Sequence, residues 1–195
     1  MRRSDVSSPL GVVVPVMALE YRRMSVEEYF ALPDDIRAEY VDGVAILMPP
    51  GTWDHQSVEL NLAVAVRSGL TDVVVAAEAG VRTAGRKYRI GDVVVMPAGA
   101  MPEGQFAETP PLVVVEVLSP STRSEDTVRK SHEYAAAGVG QYWLVDRDEP
   151  SLVVYRNTGE GWDLELTLDA ERPVGSVVVG DHGTVGLDLN SIIGR

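Results

Sequence analysis

Six short valine-rich runs, at residues 12–14, 73–75, 93–95, 113–115, 153–154 and 177–179, punctuate this chain. β-Branched side chains suit a pleated, packed surface, so such runs bounded by Gly, Pro or charged residues predict buried strands. Helical patterns lie between them. Ser25 with Glu28 three residues on forms a capping-box signature for a short helix ending near Pro33. Asp54 is placed to cap a helix running to about Arg67, with Val58, Leu62 and Val66 on one face and Gly69 just past its end. A second helix is expected from after Ser121 and Thr122 to Gly138, a well-placed terminating glycine.

Hairpins are also legible. Asp42-Gly43 between two apolar segments is a strong two-residue turn signal, and Asn157-Thr158-Gly159 separates strands expected at 152–156 and 162–168. A further strand is expected at 141–146, and 99–111 reads as the longest loop. The fold class that follows is mixed α/β: a mixed sheet flanked by helices, with additional β-hairpins that exclude a purely parallel sheet. At 195 residues one domain suffices, and it can bury roughly 70% of the surface its unfolded chain exposes. Residues 1–23 read as an N-terminal extension and 24–195 as the domain.

Composition removes several classes of function. The absence of cysteine excludes disulfides, thiolate metal sites and a cysteine nucleophile. No apolar run approaches the roughly 18 residues of a membrane span, and Asp5, Pro9 and Pro15 spoil the faint signal-peptide pattern, so no membrane association and a cytoplasmic location are expected. Neither a phosphate-binding glycine loop after a strand nor Gly-x-Ser-x-Gly occurs, which disfavours P-loop hydrolysis and serine hydrolase chemistry. Seventeen basic residues against 29 acidic give a net charge of −12, which argues against a broad electrostatic grip on nucleic acid.

Two acids stand out by position. Asp92 begins the run Asp92-Val93-Val94-Val95, and Glu116 lies within Val113-Val114-Val115-Glu116-Val117. A carboxylate in a core strand is costly unless partners meet it. If the two strands are antiparallel neighbours, the acids converge at one edge of the sheet and suit a hard divalent cation. The plainer account of the spacing is that Asp92 caps a strand and Glu116 pairs with an arginine. Downstream, Asp126, Lys130 and Tyr134 recur at i, i+4 and i+8, near one helix face. Lysine is scarce, with only Lys87 and Lys130 among the 17 basic residues. A retained ammonium is a point charge that can act on water or phosphate where a guanidinium does not fit; the plainer account is a helical Asp126–Lys130 pair.

Glu39-Tyr40-Val41-Asp42-Gly43, His55, Asp92, the string from Val115 through Glu116-Val117-Leu118-Ser119-Pro120-Ser121-Thr122, then Asp126, Lys130, Tyr134 and Tyr142-Trp143-Leu144-Val145-Asp146, together resemble the Uma2 family over roughly residues 24–156. That family belongs to the PD-(D/E)XK restriction-endonuclease-like superfamily. The resemblance implies a metal-dependent phosphodiesterase site in which Asp92 and Glu116 hold Mg²⁺ or Mn²⁺. It further implies that Lys130 orients the attacking water, Glu39 is an additional acid near the metal, and His55 and Tyr134 are accessory. Two departures stand out. The superfamily's proline before the first acid is Gly91, and the lysine expected two residues after the second acid is Leu118, so that role passes to Lys130.

The expected activity is endonucleolytic cleavage of nucleic acid, DNA ahead of RNA, by a homodimer. The alternative is a catalytically weak or inactive nuclease-fold module for binding or assembly, with the 152–168 hairpin at its interface. Residues 82–130 carry seven basic against six acidic residues, so the segment holding the expected site is nearly neutral despite the acidic chain. Arg82, Arg86, Lys87 and Arg89, clustered before Asp92, and Arg123 are the expected nucleic-acid contacts. His132 and His182 read as surface residues, Trp143 as core, and Trp53 and Trp162 as loop or hairpin packing.

Overall fold

A computed structural model describes residues 19–33 and 35–194. The strand expected at 12–14 and most of the expected extension lie outside the described residues. The first elements are β1 (Glu20–Arg23), α1 (Val26–Phe30), β2 (Ala38–Val41), β3 (Val44–Leu47) and α2 (Trp53–Gly69). Next come β4 (Val73–Ala84), β5 (Lys87–Pro97), β6 (Phe106–Ala107) and β7 (Val113–Val117), then a π-helical segment (Glu125–Lys130) running into α3 (Ser131–Ala137). The chain continues through β8 (Gln141–Asp146), β9 (Ser151–Asn157), β10 (Trp162–Leu168), β11 (Val174–Val178), β12 (Thr184–Asp188) and α4 (Leu189–Ile193).

Among the described residues ten strands form one mixed sheet in the order β1-β3-β2-β5-β7-β8-β9-β10, with β4 also paired to β5 and β6 to β4. Two pairings are parallel, β7–β8 and β4–β6; the rest of the sheet is antiparallel. β1, at residues assigned above to the extension, pairs with β3 and belongs to the sheet.

Local signals set several elements. Ser25 Oγ accepts from the Glu28 amide at 3.1 Å while the Ser25 amide donates to the Glu28 carboxylate at 2.7 Å, closing the capping box of α1. The β2–β3 turn places Asp42 at φ 46° and Gly43 at φ 97°, the positive pair that matches the twist of a two-residue hairpin.

Tertiary pairing redraws others. α2 is capped by Thr52, whose Oγ1 accepts from the His55 amide, rather than by Asp54, which falls in the first turn, where its charge suits the helix dipole. The helix runs through Gly69 and stops where Leu70 is drawn into a bridge with Gly183. The expected loop 99–111 contains β6, because burial of Ala107 and packing of Phe106 bring it alongside β4. The valines at 177–179 leave the main sheet. Val177 lies in a two-stranded sheet, β11–β12, that with Val179 and α4 closes the core over α2.

Strand alternation divides this core. Val93, Val95, Val113, Val115 and Val117 pack with Val58, Leu62 and Val66 of α2, whereas Val94, Met96 and Val114 pack with Tyr134 and Tyr142 on the other face. Trp143 is fully buried, as expected.

One irregularity positions everything that follows. β5 pairs with β4 along nearly its whole length on one edge. Its other edge serves two strands in succession, β2 at Lys87–Tyr88 and β7 at Val93–Val95. Between these pairings the sheet forks, and residues 89–92 are left without a strand on that side.

Candidate active site

The backbone and side chains at the fork find partners other than a strand. The Ile90 amide donates to Glu39 Oε1 at 3.0 Å, and the Ile90 carbonyl accepts from Lys130 Nζ at 3.1 Å. Asp92 Oδ2 accepts from the Val117 amide at 2.7 Å, bridging the gap where β7 leaves β5. Because Val93 pairs with Val115, the next residues outward are Asp92 and Glu116, which brings the two acids together at the mouth of the fork. The antiparallel arrangement expected from sequence therefore holds.

Lys130 is 4% exposed. Its ammonium lies 2.8 Å from Glu39 Oε1, 3.1 Å from Glu116 Oε1 and 3.3 Å from Asp126 Oδ1, besides the Ile90 carbonyl. Three N–H donors thus face four acceptors. Tyr134 donates to the same Glu116 oxygen at 3.1 Å. Asp126, Lys130 and Tyr134 converge as their spacing predicts, but on a helix whose first part is π-helical, a local form frequent at functional sites. The Asp126–Lys130 pair is buried, which removes the surface-pair account. Ser119 Oγ lies within hydrogen-bonding distance of the Ser121 and Thr122 hydroxyls and accepts from the Thr122 amide, fixing the turn that aims this helix.

A second group meets Asp92 from α2. His55 Nε2 lies 2.9 Å from Glu59 Oε1 and 3.4 Å from Asp92 Oδ2, and one ligand atom from each of the three residues falls within a 4.8 Å sphere of separation. Arg37 Nη2 donates to Asp92 Oδ1 at 3.3 Å.

Charge is unevenly compensated here. Among the described residues Glu39, Glu59, Asp92, Glu116, Glu125 and Asp126 are buried acids near the fork, against Arg89 and Lys130 as buried bases. Burial pushes the Glu116 carboxyl well above its usual range, and the neighbouring Asp92, Asp126 and Glu39 charges add to this against the pull of Lys130. Burial would also raise Asp92, but the hydrogen bond and charge of His55, with Lys130 and the Val117 amide, hold it below the usual value. For Lys130, burial opposes the charge but the four surrounding carboxylates outweigh it and hold the ammonium protonated. Burial likewise opposes the His55 imidazolium, yet Asp92 and Glu59 raise it to about 10.

The expected nucleic-acid contacts fare differently. Arg89 is fully buried: Nη1 donates to Glu39 Oε2 at 2.8 Å, and Nε and Nη2 donate to the two Glu133 oxygens at 2.7 and 3.1 Å. Alternation along β5 turned it inward, so it braces Glu39 and α3 and does not face a phosphate backbone. Arg86 is exposed; Arg82 pairs with Glu108, Arg123 with Asp146, and Lys87 with Glu133 and Asp42. Trp53 is 90% exposed instead of packed.

His55 and Glu59, one helical turn apart, form the helix-face pair that their spacing suggests; Arg37 is the site feature that the sequence does not single out. The available signal was alternation, since Arg37 stands two residues before Glu39 and so on the same side of an extended chain.

Comparisons with known proteins place this geometry. No curated protein matches the sequence. The fold is similar to a solved crystal structure from Anabaena variabilis described as "a putative nuclease belonging to DUF820", with a TM-score of 0.70 and 19% identity over 88% of this chain and 98% of that one. The model of the Uma2 family, described as "Putative restriction endonuclease", matches residues 26–185, and the chain belongs to that family.

Proposed function

We propose that this protein is a metal-dependent endonuclease that hydrolyses phosphodiester bonds in nucleic acid, DNA ahead of RNA, with its site at the fork of β5. The observation that carries the reading is the meeting of Asp92, Glu116 and Lys130 where the sheet opens. Family membership and the nuclease-like neighbour support it at the level of reaction class.

The residues present fit a divalent cation. Glu59 Oε1 is buried without an aligned hydrogen bond, the buried acids outnumber the buried bases, and Asp92 and Glu59 offer oxygen beside the His55 nitrogen, which would ligate only as a cation displaced its proton. Asp92 and Glu116 would hold the ion, with His55 and Glu59 completing the set on the α2 side and Glu39 assisting. One imidazole among oxygen donors suits Mn²⁺ better than the strictly oxygen-seeking Mg²⁺. When bound, such an ion supplies Lewis-acid polarisation of a phosphoryl oxygen and activation of water.

The chain's own residues do the rest. The Val117 amide fixes the rotamer of Asp92, and His55 first, then Lys130 and that amide, keep the carboxylate ionised against its burial. Tyr134 and Lys130 hold Glu116 from the opposite face. Lys130 balances the clustered carboxylates and would orient the attacking water or meet a phosphate oxygen through one of its N–H groups. Arg89, through Glu39, positions that acid without touching substrate.

The test is incubation with single-stranded, duplex and branched nucleic acids, with and without Mn²⁺, alongside Glu116→Ala. Cleavage that needs both Mn²⁺ and Glu116 is expected; full activity of Glu116→Ala would sink the reading. The saturation of the Lys130 donors favours the inactive module as the second reading, and calorimetric titration of Mn²⁺ into wild type and Asp92→Ala separates the two. Absence of site-specific binding to wild type selects the module.

A further inference from the structure

A cavity of about 590 Å³ opens beside the fork, within the size range of small-molecule sites. Its lining includes Phe30, Phe106, Arg37, Glu78, Ile90 and Gly80. Two of these residues also touch the site described above: Arg37 donates to Asp92, and the Ile90 carbonyl accepts from Lys130. The cavity therefore borders the fork, with Arg37 and Ile90 shared between them. We propose that this cavity receives one unpaired nucleobase of the substrate strand, stacked on the Phe30–Phe106 wall, while Arg37 reaches from the same cavity toward the phosphate at the fork. The proposal rests on the nuclease reading and names the form of nucleic acid that it takes.

Three features of the wall go beyond what core packing requires. Tyr29 and Tyr40 are buried and complete a small aromatic core, yet Phe30 at the end of α1 remains 48% exposed, its ring edge-to-face with Phe106 at 6.1 Å. Phe106 lies over β4 only because residue 80 is glycine: a Cβ there would stand 2.5 Å from Phe106 Cδ1 and 2.5 Å from the Gln105 carbonyl oxygen. Also in the lining, Glu78 holds φ 49°, a costly conformation for a residue with a side chain, and its Oε1 lies 3.4 Å from Arg37 Nε. That Nε is buried and has no aligned hydrogen-bond partner among the described residues.

A flat ring fits this setting. Every base has a face that stacks on an aromatic side chain, and its polar edge can meet Glu78 or Arg37. A base pair within a duplex keeps its faces covered and cannot enter; the base must be unpaired or turned out of the stack. The net charge of −12 points the same way, because a chain with little electrostatic hold on the phosphate backbone has stacking left as its source of affinity.

The experiment uses Glu116→Gln protein, blocked in cleavage, with Mn²⁺ and a fluorescently labelled twelve-nucleotide strand of about that length, its duplex, and versions carrying one abasic position in turn, read by anisotropy. The single strand is expected to bind at least about tenfold tighter than the duplex, and Phe30→Ala to lose about ten- to a hundredfold on the single strand alone. One abasic position should cause the same loss and cause no further loss in the Phe30→Ala background. Phe30 is exposed enough for this variant to fold, and Phe106→Leu provides a second reading of the wall. Equal binding of duplex and single strand with no effect of Phe30→Ala, or an abasic scan without a sensitive position, overturns the proposal while leaving the nuclease reading intact. Failure of wild type to bind or cleave any nucleic acid overturns both.

Discussion

Replacing Arg89 with methionine removes a guanidinium that bonds Glu39 and Glu133 and lies 3.6 Å from Glu125, at a position with no solvent exposure. Breaking a buried ion pair from one side costs about 3–5 kcal/mol, because the abandoned charge stays buried. The partners here fare unequally. Glu39 keeps Lys130 at 2.8 Å and the Ile90 amide at 3.0 Å, whereas Glu133 keeps only Lys87 at 3.4 Å but lies close enough to the surface to recruit water. The lower end, about 3 kcal/mol, is therefore expected. With a urea m-value of about 2 kcal/mol/M, the unfolding midpoint should fall by about 1.5 M with m unchanged. Adding Glu133→Gln to Arg89→Met removes one stranded charge and should return about 1 kcal/mol. A variant within about 1 kcal/mol of wild type would refute the assignment of Arg89 as an internal brace. An arginine that contacts phosphate would instead leave the midpoint in place and lower the salt dependence of nucleic-acid binding.

Other outcomes follow from the same geometry. Glu116→Gln imitates the protonated carboxyl that burial favours, so its melting temperature should match or exceed wild type while cleavage is lost; thermal melts beside a nuclease assay check this. Lys130→Arg should be severely impaired in cleavage, since a planar guanidinium cannot take the place of an ammonium enclosed by three carboxylates and a carbonyl, and single-turnover assays would show it. Although burial opposes it, Arg89 holds the Glu133 carboxyl below its ordinary 4.5. The stability from this pair is complete above that ordinary value and is lost as pH falls through the lower folded value, so Glu133→Gln should flatten the acid limb of stability against pH, measured by urea titration from pH 6 to 3.

Periodicity and turn chemistry, which are local, were enough to place the strands around Asp92 and Glu116, the capping box at Ser25, the Asp42-Gly43 hairpin and the shared face of Asp126, Lys130 and Tyr134. Each rests on residues a few positions apart, where backbone geometry alone fixes which side chains meet. The fate of the charged residues was different. Arg89 reads in sequence as one of four basic residues before the site, and only the pairing of β2 with β5 brings Glu39, fifty residues away, to its guanidinium. Arg37 meets Asp92 across 55 residues, and the cavity that Arg37 borders has Phe106 in its wall because β6 lies against Gly80. The chain by itself determined the strands around Asp92 and Glu116 and placed both acids within them, but not β1 or β6, which form only where a neighbouring strand meets them. Only the tertiary structure decided that β5 changes partner halfway along, and this fork is what gathers buried acids and bases from separate strands and helices into one coupled site.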